Sequence, residues 1–233
     1  MNKTIRQFIP PVNVQKLYER FNAPIAAFDC GQKCAPHNPS GKPFCCDICH
    51  AVPAAYGQEW DYLKQNTDLW HPWRGDECAA NPEDPARLQA ETPDTMILLA
   101  CLGPAHCQRE YRTLNCRQFP FFPYITSDYR FLGLAYEWQY EATCWVISNL
   151  NVVTDEYRKQ YIETYDQLFA IWDEEFESYA EYSAAMREHF ARLKRRIPII
   201  HRDGGTYLLS PGSERLRKAD AEQLPRFGPY RTS

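Results

Sequence analysis

Ten cysteines in 233 residues, most of them crowded into two groups, constrain this chain more than any other feature. Cys30, Cys34, Cys45, Cys46 and Cys49 fall within one short stretch, Cys101, Cys107 and Cys116 within another, and Cys78 and Cys144 stand apart. The N-terminal stretch MNKTIRQFIPPVNVQKLYERF carries charges and two prolines where a secretory signal needs an apolar run, so the chain reads as cytoplasmic. Disulfides do not persist in a reducing compartment, and clustered cysteines there are expected to bind metal or to react. On that reading Cys78, in a loop rich in Pro and Asp, is a free thiol. Cys144, inside the apolar run A-T-C-W-V-I, is a small buried hydrophobe.

Composition excludes several functional classes. The formal net charge is −4, so no global basic field points to nucleic acid or an anionic membrane. The longest uninterrupted apolar run, Met96 to Leu102, is far short of the roughly 20 residues a membrane-spanning helix needs. With 44% hydrophobic residues the chain is able to bury a sizeable core. No P-loop, dinucleotide fingerprint, nucleophile elbow or zinc-protease motif occurs.

The pattern divides the chain into a cysteine-cluster region over 1–126, a helical region over 127–197, and a hairpin with a tail over 198–233. The first region is broken by turns such as Pro36-His37-Asn38-Pro39-Ser40-Gly41 and Asn81-Pro82-Glu83-Asp84-Pro85. Within it Ala54 to Leu63 reads as a short helix, and Met96 to Leu102 as a buried strand or helix segment. From Thr154, a plausible N-cap, apolar residues recur at Tyr157, Tyr161, Tyr165, Leu168, Trp172, Phe176, Tyr179, Met186, Phe190 and Leu193. That spacing predicts one long helix, or two joined near Asp173, ending before Pro198. Asp173, Glu174, Glu175, Glu177 and Glu181 read as its solvated face. Asp203-Gly204-Gly205 between two β-prone runs predicts a hairpin over 197–211, and the segment beyond Ser213 a docked or frayed tail. The expectation is an α+β protein: a loop-rich cysteine-cluster half packed on a mainly helical half, with a short C-terminal β-hairpin.

The chemistry rests on cysteine spacing: C-x3-C, then C-C-x2-C, then C-x5-C-x8-C-R-x-F-P. Thiolate sulfur suits zinc and iron–sulfur clusters, commonly through four ligands gathered from separated pairs. The candidate ligands are Cys30, Cys34, Cys45, Cys46, Cys101, Cys107 and Cys116, with Cys49 as a further candidate. Arg112 and Arg117 are candidates for the positive charge beside them, because four thiolates around Zn²⁺ or a [4Fe–4S]²⁺ core leave a net charge near −2. His37, His50 and His106 lie near cysteines and are read as bystanders. His201 with Asp203 is a weak acid–base pair without a nucleophile to serve.

These spacings resemble the YkgJ-type cysteine-cluster family, described as zinc- or iron-chelating. Its pattern is an early paired-cysteine motif ending in Cys-Cys, followed by C…C-x8-C-R-x-[FY]-P. Cys30, Cys34, Cys45 and Cys46 resemble the first part; Cys101, Cys107, Cys116, Arg117, Phe119 and Pro120 resemble the second, with Arg112 at the family's arginine position. Thr113 stands where the family has proline, and ten residues separate Cys34 from Cys45 where many members have two. The resemblance spans residues 28–126 and implies an iron–sulfur cluster or zinc as cofactor, in a redox, sensing or structural role. More distantly, the early motif is similar to that of flagellin lysine N-methylase, which implies S-adenosylmethionine-dependent methyl transfer as an alternative. A zinc-stabilised interaction module, whose aromatic helix docks a protein partner, is a third class; the plainer reading of that helix is internal packing.

Overall fold

A computed structural model describes residues 10–78 and 85–231. The turn anticipated at Asn81–Asp84 and the start of the N-terminal stretch lie outside the described residues. The architecture is α+β, with two antiparallel sheets and the helices disposed around them. The helices are α1 (Val14–Arg20), α2 (Gly31–Cys34), α3 (Gly57–Asn66), α4 (Pro85–Glu91), α5 (Leu114–Gln118), α6 (Asp155–Phe169) and α7 (Asp173–Arg192). A small sheet, in the order β1 (Ala54–Tyr56), β3 (Met96–Cys101), β2 (Trp70–Pro72), belongs to the cysteine-rich half. A five-stranded meander follows, with β4 (Phe121–Ile125), β5 (Phe131–Tyr136), β6 (Ile197–His201), β7 (Thr206–Leu209) and β8 (Leu216–Ala219) in spatial order. No helix among the described residues is long and apolar enough to cross a membrane.

The long helical pattern folds as two helices. Thr154 caps α6, its hydroxyl oxygen accepting from the Tyr157 N–H at 3.1 Å, and Asp155 and Glu156 occupy the positive first turn. The break falls at Trp172, and α7 begins at Asp173 with three acidic residues in its first turn. Lys194, at φ 53°, turns the chain out of α7 before Pro198. The aromatic stripe packs inward: Tyr157, Tyr161, Tyr165, Leu168, Met186 and Phe190 join strands β4 to β7 and α1 in one hydrophobic cluster. A smaller cluster of Val14, Tyr18, Leu63 and Leu99 ties α1 and α3 to β3.

The hairpin forms as anticipated, β6 and β7 pairing around Gly204 and Gly205, both at positive φ. It is part of a larger sheet that the sequence pattern did not reveal. β5 lies inside the segment expected to be helical, and Gly133 makes its pairing possible: at φ 151°, any Cβ there would drive into the Ile200 carbonyl of β6. Pro123 sits in β4, which among the described residues is an edge strand with no second partner to which it would owe an N–H bond. The expected helix over Ala54 to Leu63 is also corrected. Its first three residues pair with β3, and the helix starts only at Gly57.

The segment after Ser213 is docked. The Phe227 N–H donates to Ser148 Oγ at 2.9 Å, and Tyr230 Oη donates to the Thr143 carbonyl at 2.8 Å. Glu175 departs from the solvated face expected of α7, since Tyr56 Oη donates to its carboxylate and burial pushes it up to about 7.

Glu137 gives the fold a pH dependence of definite sign. Tyr182 Oη donates to its Oε2 at 2.6 Å, and burial pushes the carboxyl up to about 7. A folded value above the unfolded one means that the native state holds a proton the unfolded chain has released. Stability is therefore full below about pH 4.5 and falls as pH rises to about 7. Glu137→Gln keeps an acceptor for Tyr182 and removes the ionisation. It is expected to flatten the decline and to stabilise the protein at pH 8 by about 1 kcal/mol, after discounting for partial exposure. Urea melts at pH 5 and pH 8 check this; an unchanged difference between the two pH values refutes it.

Candidate metal centre

Each cysteine is positioned by a short local device. The Asp29 carboxylate accepts from the Gly31 N–H at 3.0 Å and starts the single turn of α2, so that Cys30 and Cys34, four apart, share one side of it. Gly31 leaves room for Pro43, which packs where its Cβ would stand. The loop leading to the next pair is organised by Asp47, whose Oδ2 accepts from Ser40 Oγ at 2.6 Å and Asn38 Nδ2 at 3.0 Å. Burial would raise this carboxyl, but those bonds and the Cys49 N–H outweigh it and hold it below the ordinary range. Cys45 and Cys46 follow in the 3₁₀ turn Phe44–Cys46, their sulfurs 3.9 Å apart.

The second group descends from β3. Cys101 is the last residue of that strand, and Cys107 follows the turn Pro104–His106. Thr113 caps α5, accepting from the Cys116 N–H at 3.2 Å, which fixes the Cys116 side chain one turn into the helix. Behind α5 stands Glu59, only 2% exposed. It accepts from Tyr18 Oη and the Leu114 N–H, both at 2.7 Å, and from the Tyr56 N–H at 3.0 Å. One carboxylate thus joins α1, β1 and the start of α5, and sets the platform carrying Cys116.

The seven candidate cysteines converge on two adjoining cavities. The inner one, about 100 Å³, is lined by Cys30, Cys34, Cys45, Cys46 and Cys116. The outer one, about 150 Å³, is lined by Cys45, Cys46, Cys101, Cys107 and Cys116. Cys46 lies between them: its charge acts on Cys30, Cys34, Cys101 and Cys116. Arg112 borders both cavities and donates from Nε to Cys107 Sγ at 3.1 Å.

Burial pushes the Cys30 thiol up to about 11 and the Cys116 thiol up to about 12, and raises Cys34 and Cys101. Cys46 alone is held below the usual thiol range. The Cys45 thiol hydrogen-bonds to its sulfur, and the Arg112 charge assists, against the cost of burial. Apart from Cys46, these buried thiols favour the protonated form, and only a cation that replaces their protons would turn them into ligands.

Among the described residues no three His, Cys, Asp or Glu side chains are drawn together tightly enough to hold a single ion. Tetrahedral zinc, with Zn–S bonds of about 2.3 Å, would bring its sulfurs to about 3.8 Å from one another. The Cys45–Cys46 pair, at 3.9 Å, has about that spacing. No family model matches the chain, and no curated protein or solved structure matches it either.

Two expectations change at this site and a third gains a new aspect. Cys49 is not available as a ligand, because it is bonded to Cys78, which is therefore not a free thiol. The loops bring their Cα atoms to 5.6 Å, within disulfide range, a proximity that spacing along the chain does not disclose. Cys144, read as a core hydrophobe, packs against the main hydrophobic cluster as expected, and it also lines the inner cavity and acts electrostatically on Cys45. Its apolar flanks Trp145, Val146 and Ile147 concealed it.

Arg117 has its guanidinium among backbone carbonyls instead of facing the thiols, so Arg112 is the arginine that supplies charge to them. The histidines stay outside: His37 packs edge-on to Tyr230, His50 against Phe44, and His106 is exposed. His201 Nδ1 accepts from the Asp203 N–H at 3.1 Å and serves the hairpin turn.

Proposed function

We propose that this chain is a cysteine-cluster metal protein akin to the YkgJ type, and that its thiols hold an iron–sulfur cluster in a redox, sensing or structural role. The observation that carries this reading is the spread of Cys30, Cys34, Cys45, Cys46, Cys101, Cys107 and Cys116 around two adjoining cavities, with one arginine bordering both. A cluster takes its thiolates from around a polyhedron and accommodates such a spread, whereas one zinc ion needs four sulfurs in mutual contact. When bound, the cluster would supply one-electron transfer or a rigid cross-link between loops. The chain's own part is to bury the sulfurs, to offset their charge through Arg112, and to fix Cys116 through the Thr113 cap.

Elemental analysis with an absorption spectrum, on protein purified without oxygen, tests the reading. About four irons with matching sulfide per bound cluster, and a broad band near 400 nm bleached by dithionite, are expected. A colourless protein with one or two zincs would replace the cluster with a structural zinc site. Protein free of both metals after anaerobic reconstitution would overturn the reading.

A further inference from the structure

Beside the thiols lies a third, larger cavity of about 380 Å³, between the segment from Phe21 to Cys30 and the arginines Arg109, Arg112 and Arg117, with Cys116 also on its wall. Its size is that of a small-molecule site. Three arginines stand on its wall. Arg187 and Arg195 each hold a glutamate at 3.1 and 2.7 Å, but no carboxylate of the described residues lies within ion-pair distance of Arg109, Arg112 or Arg117. Asp29 is on the wall, with its Oδ1 accepting from the Gly31 N–H.

The three arginines are committed to different extents. Arg117 donates from all three guanidinium nitrogens to backbone carbonyls. Arg109 donates from Nε and Nη2 to one acceptor, the Asn22 carbonyl, at 3.2 and 2.7 Å. Arg112 gives Nε to Cys107 Sγ, and its two amino groups meet no acceptor among the described residues. Arg109 and Arg112 both stand on the cavity wall, two like charges on one surface. An anion seated between them offsets the two like charges and accepts from the free amino groups of Arg112 in the planar, two-point manner that suits a carboxylate.

The geometry points to a binding site for a small carboxylate-bearing molecule, anchored by Arg112 and Arg109 and held against the wall that carries Cys30 and Cys116. It deepens the metal-centre reading, because such a ligand would lie next to the metal, yet its test reads out separately.

Calorimetric titration of citrate into the protein as purified, in buffer free of other multivalent anions, is expected to give a Kd below about 1 mM. Arg109→Gln removes a charge from the wall at a residue that makes no hydrogen bond to a thiol, and is expected to weaken citrate at least about tenfold while metal content and the visible spectrum stay unchanged. Arg226→Gln, on the exposed C-terminal segment, is expected to leave citrate binding as it is. Absence of citrate binding, equal affinity in Arg109→Gln, or tighter binding of inorganic phosphate than of citrate would overturn the assignment. Metal content measured on the same samples separates the two readings. Metal without citrate binding removes the anion site alone, and citrate binding to a preparation that takes up no metal removes the metal centre alone.

Discussion

Cys46→Ser is expected to abolish most of the metal bound by the protein and to lower its thermal midpoint on the order of 10 °C. Three observations make this the largest effect among single thiol replacements. Cys46 borders both cavities, its charge reaches four other candidate ligands, and it is the thiol already held below the usual range by Cys45 and Arg112. A serine hydroxyl does not ionise to a soft ligand, and the substitution leaves the remaining thiols without their common neighbour. Ligation of separated loops also contributes directly to folding, so metal loss and destabilisation are expected together. The control is Cys49→Ser combined with Cys78→Ser, which opens the disulfide and alters none of the free thiols. It is expected to keep the metal at wild-type stoichiometry while losing stability. Wild-type metal content in Cys46→Ser, or equal depletion in the control, would remove the assignment of Cys46 as a ligand.

A second large effect concerns a residue that binds no metal. Arg117→Ala is expected to destabilise the protein by about 3–5 kcal/mol, the range found when one partner of a buried charged network is removed. The side chain is 7% exposed. It donates from Nε to the Arg112 carbonyl at 2.8 Å, from Nη1 to Tyr18 and Phe21, and from Nη2 to Glu110 at 2.8 Å. The guanidinium carbon lies 4.3 Å from the centre of the Tyr18 ring. Alanine leaves the Tyr18 and Phe21 carbonyls at the end of α1 and the Glu110 and Arg112 carbonyls without the donor Arg117 supplies, and opens a void between them. Arg117→Lys recovers only part of the loss, since an ammonium cannot reproduce a planar fork that meets carbonyls on several sides. Chemical denaturation monitored by fluorescence reads this out. A loss below about 1 kcal/mol would show that water takes over the carbonyls without difficulty.

The parts of the fold evident in the sequence were those governed by local rules. Thr154, the periodic aromatics of α6 and α7, and the glycine pair at 204–205 each act within a turn or two of chain, and each appears where expected. The central β5 was not evident. Its residues Phe131–Tyr136 are buried on both faces and so lack alternation, and their partners in β6 lie more than sixty residues onward. The short β1 was hidden for a similar reason, since Ala54–Tyr56 are strand residues only by virtue of pairing with β3.

At the site, spacing was enough to nominate the thiols that now gather around the cavities, because short cysteine spacers place neighbours on one turn. It could not indicate the pairing of Cys49 with Cys78, or the approach of Cys144, both of which depend on how distant loops meet. Arg112 and Arg117 looked equivalent along the chain. They differ only because the C-terminus of α1 presents its carbonyls to one and the thiols lie against the other.

The docked C-terminal segment bears on how the protein is made. Tyr230 closes against Thr143 and His37, and its electrostatic reach extends to Cys34 and Cys144. During synthesis Cys30 and Cys34 emerge first, Cys116 and then Cys144 follow much later, and Tyr230, which packs on His37 and Thr143, later still. The inner cavity of a nascent chain therefore lacks part of its wall, and its thiols are open to solvent, oxidants and metal donors, until the ribosome has delivered the segment around Cys144 and Val146. A fragment limited to the cysteine-rich region would keep the thiols in that unfinished state.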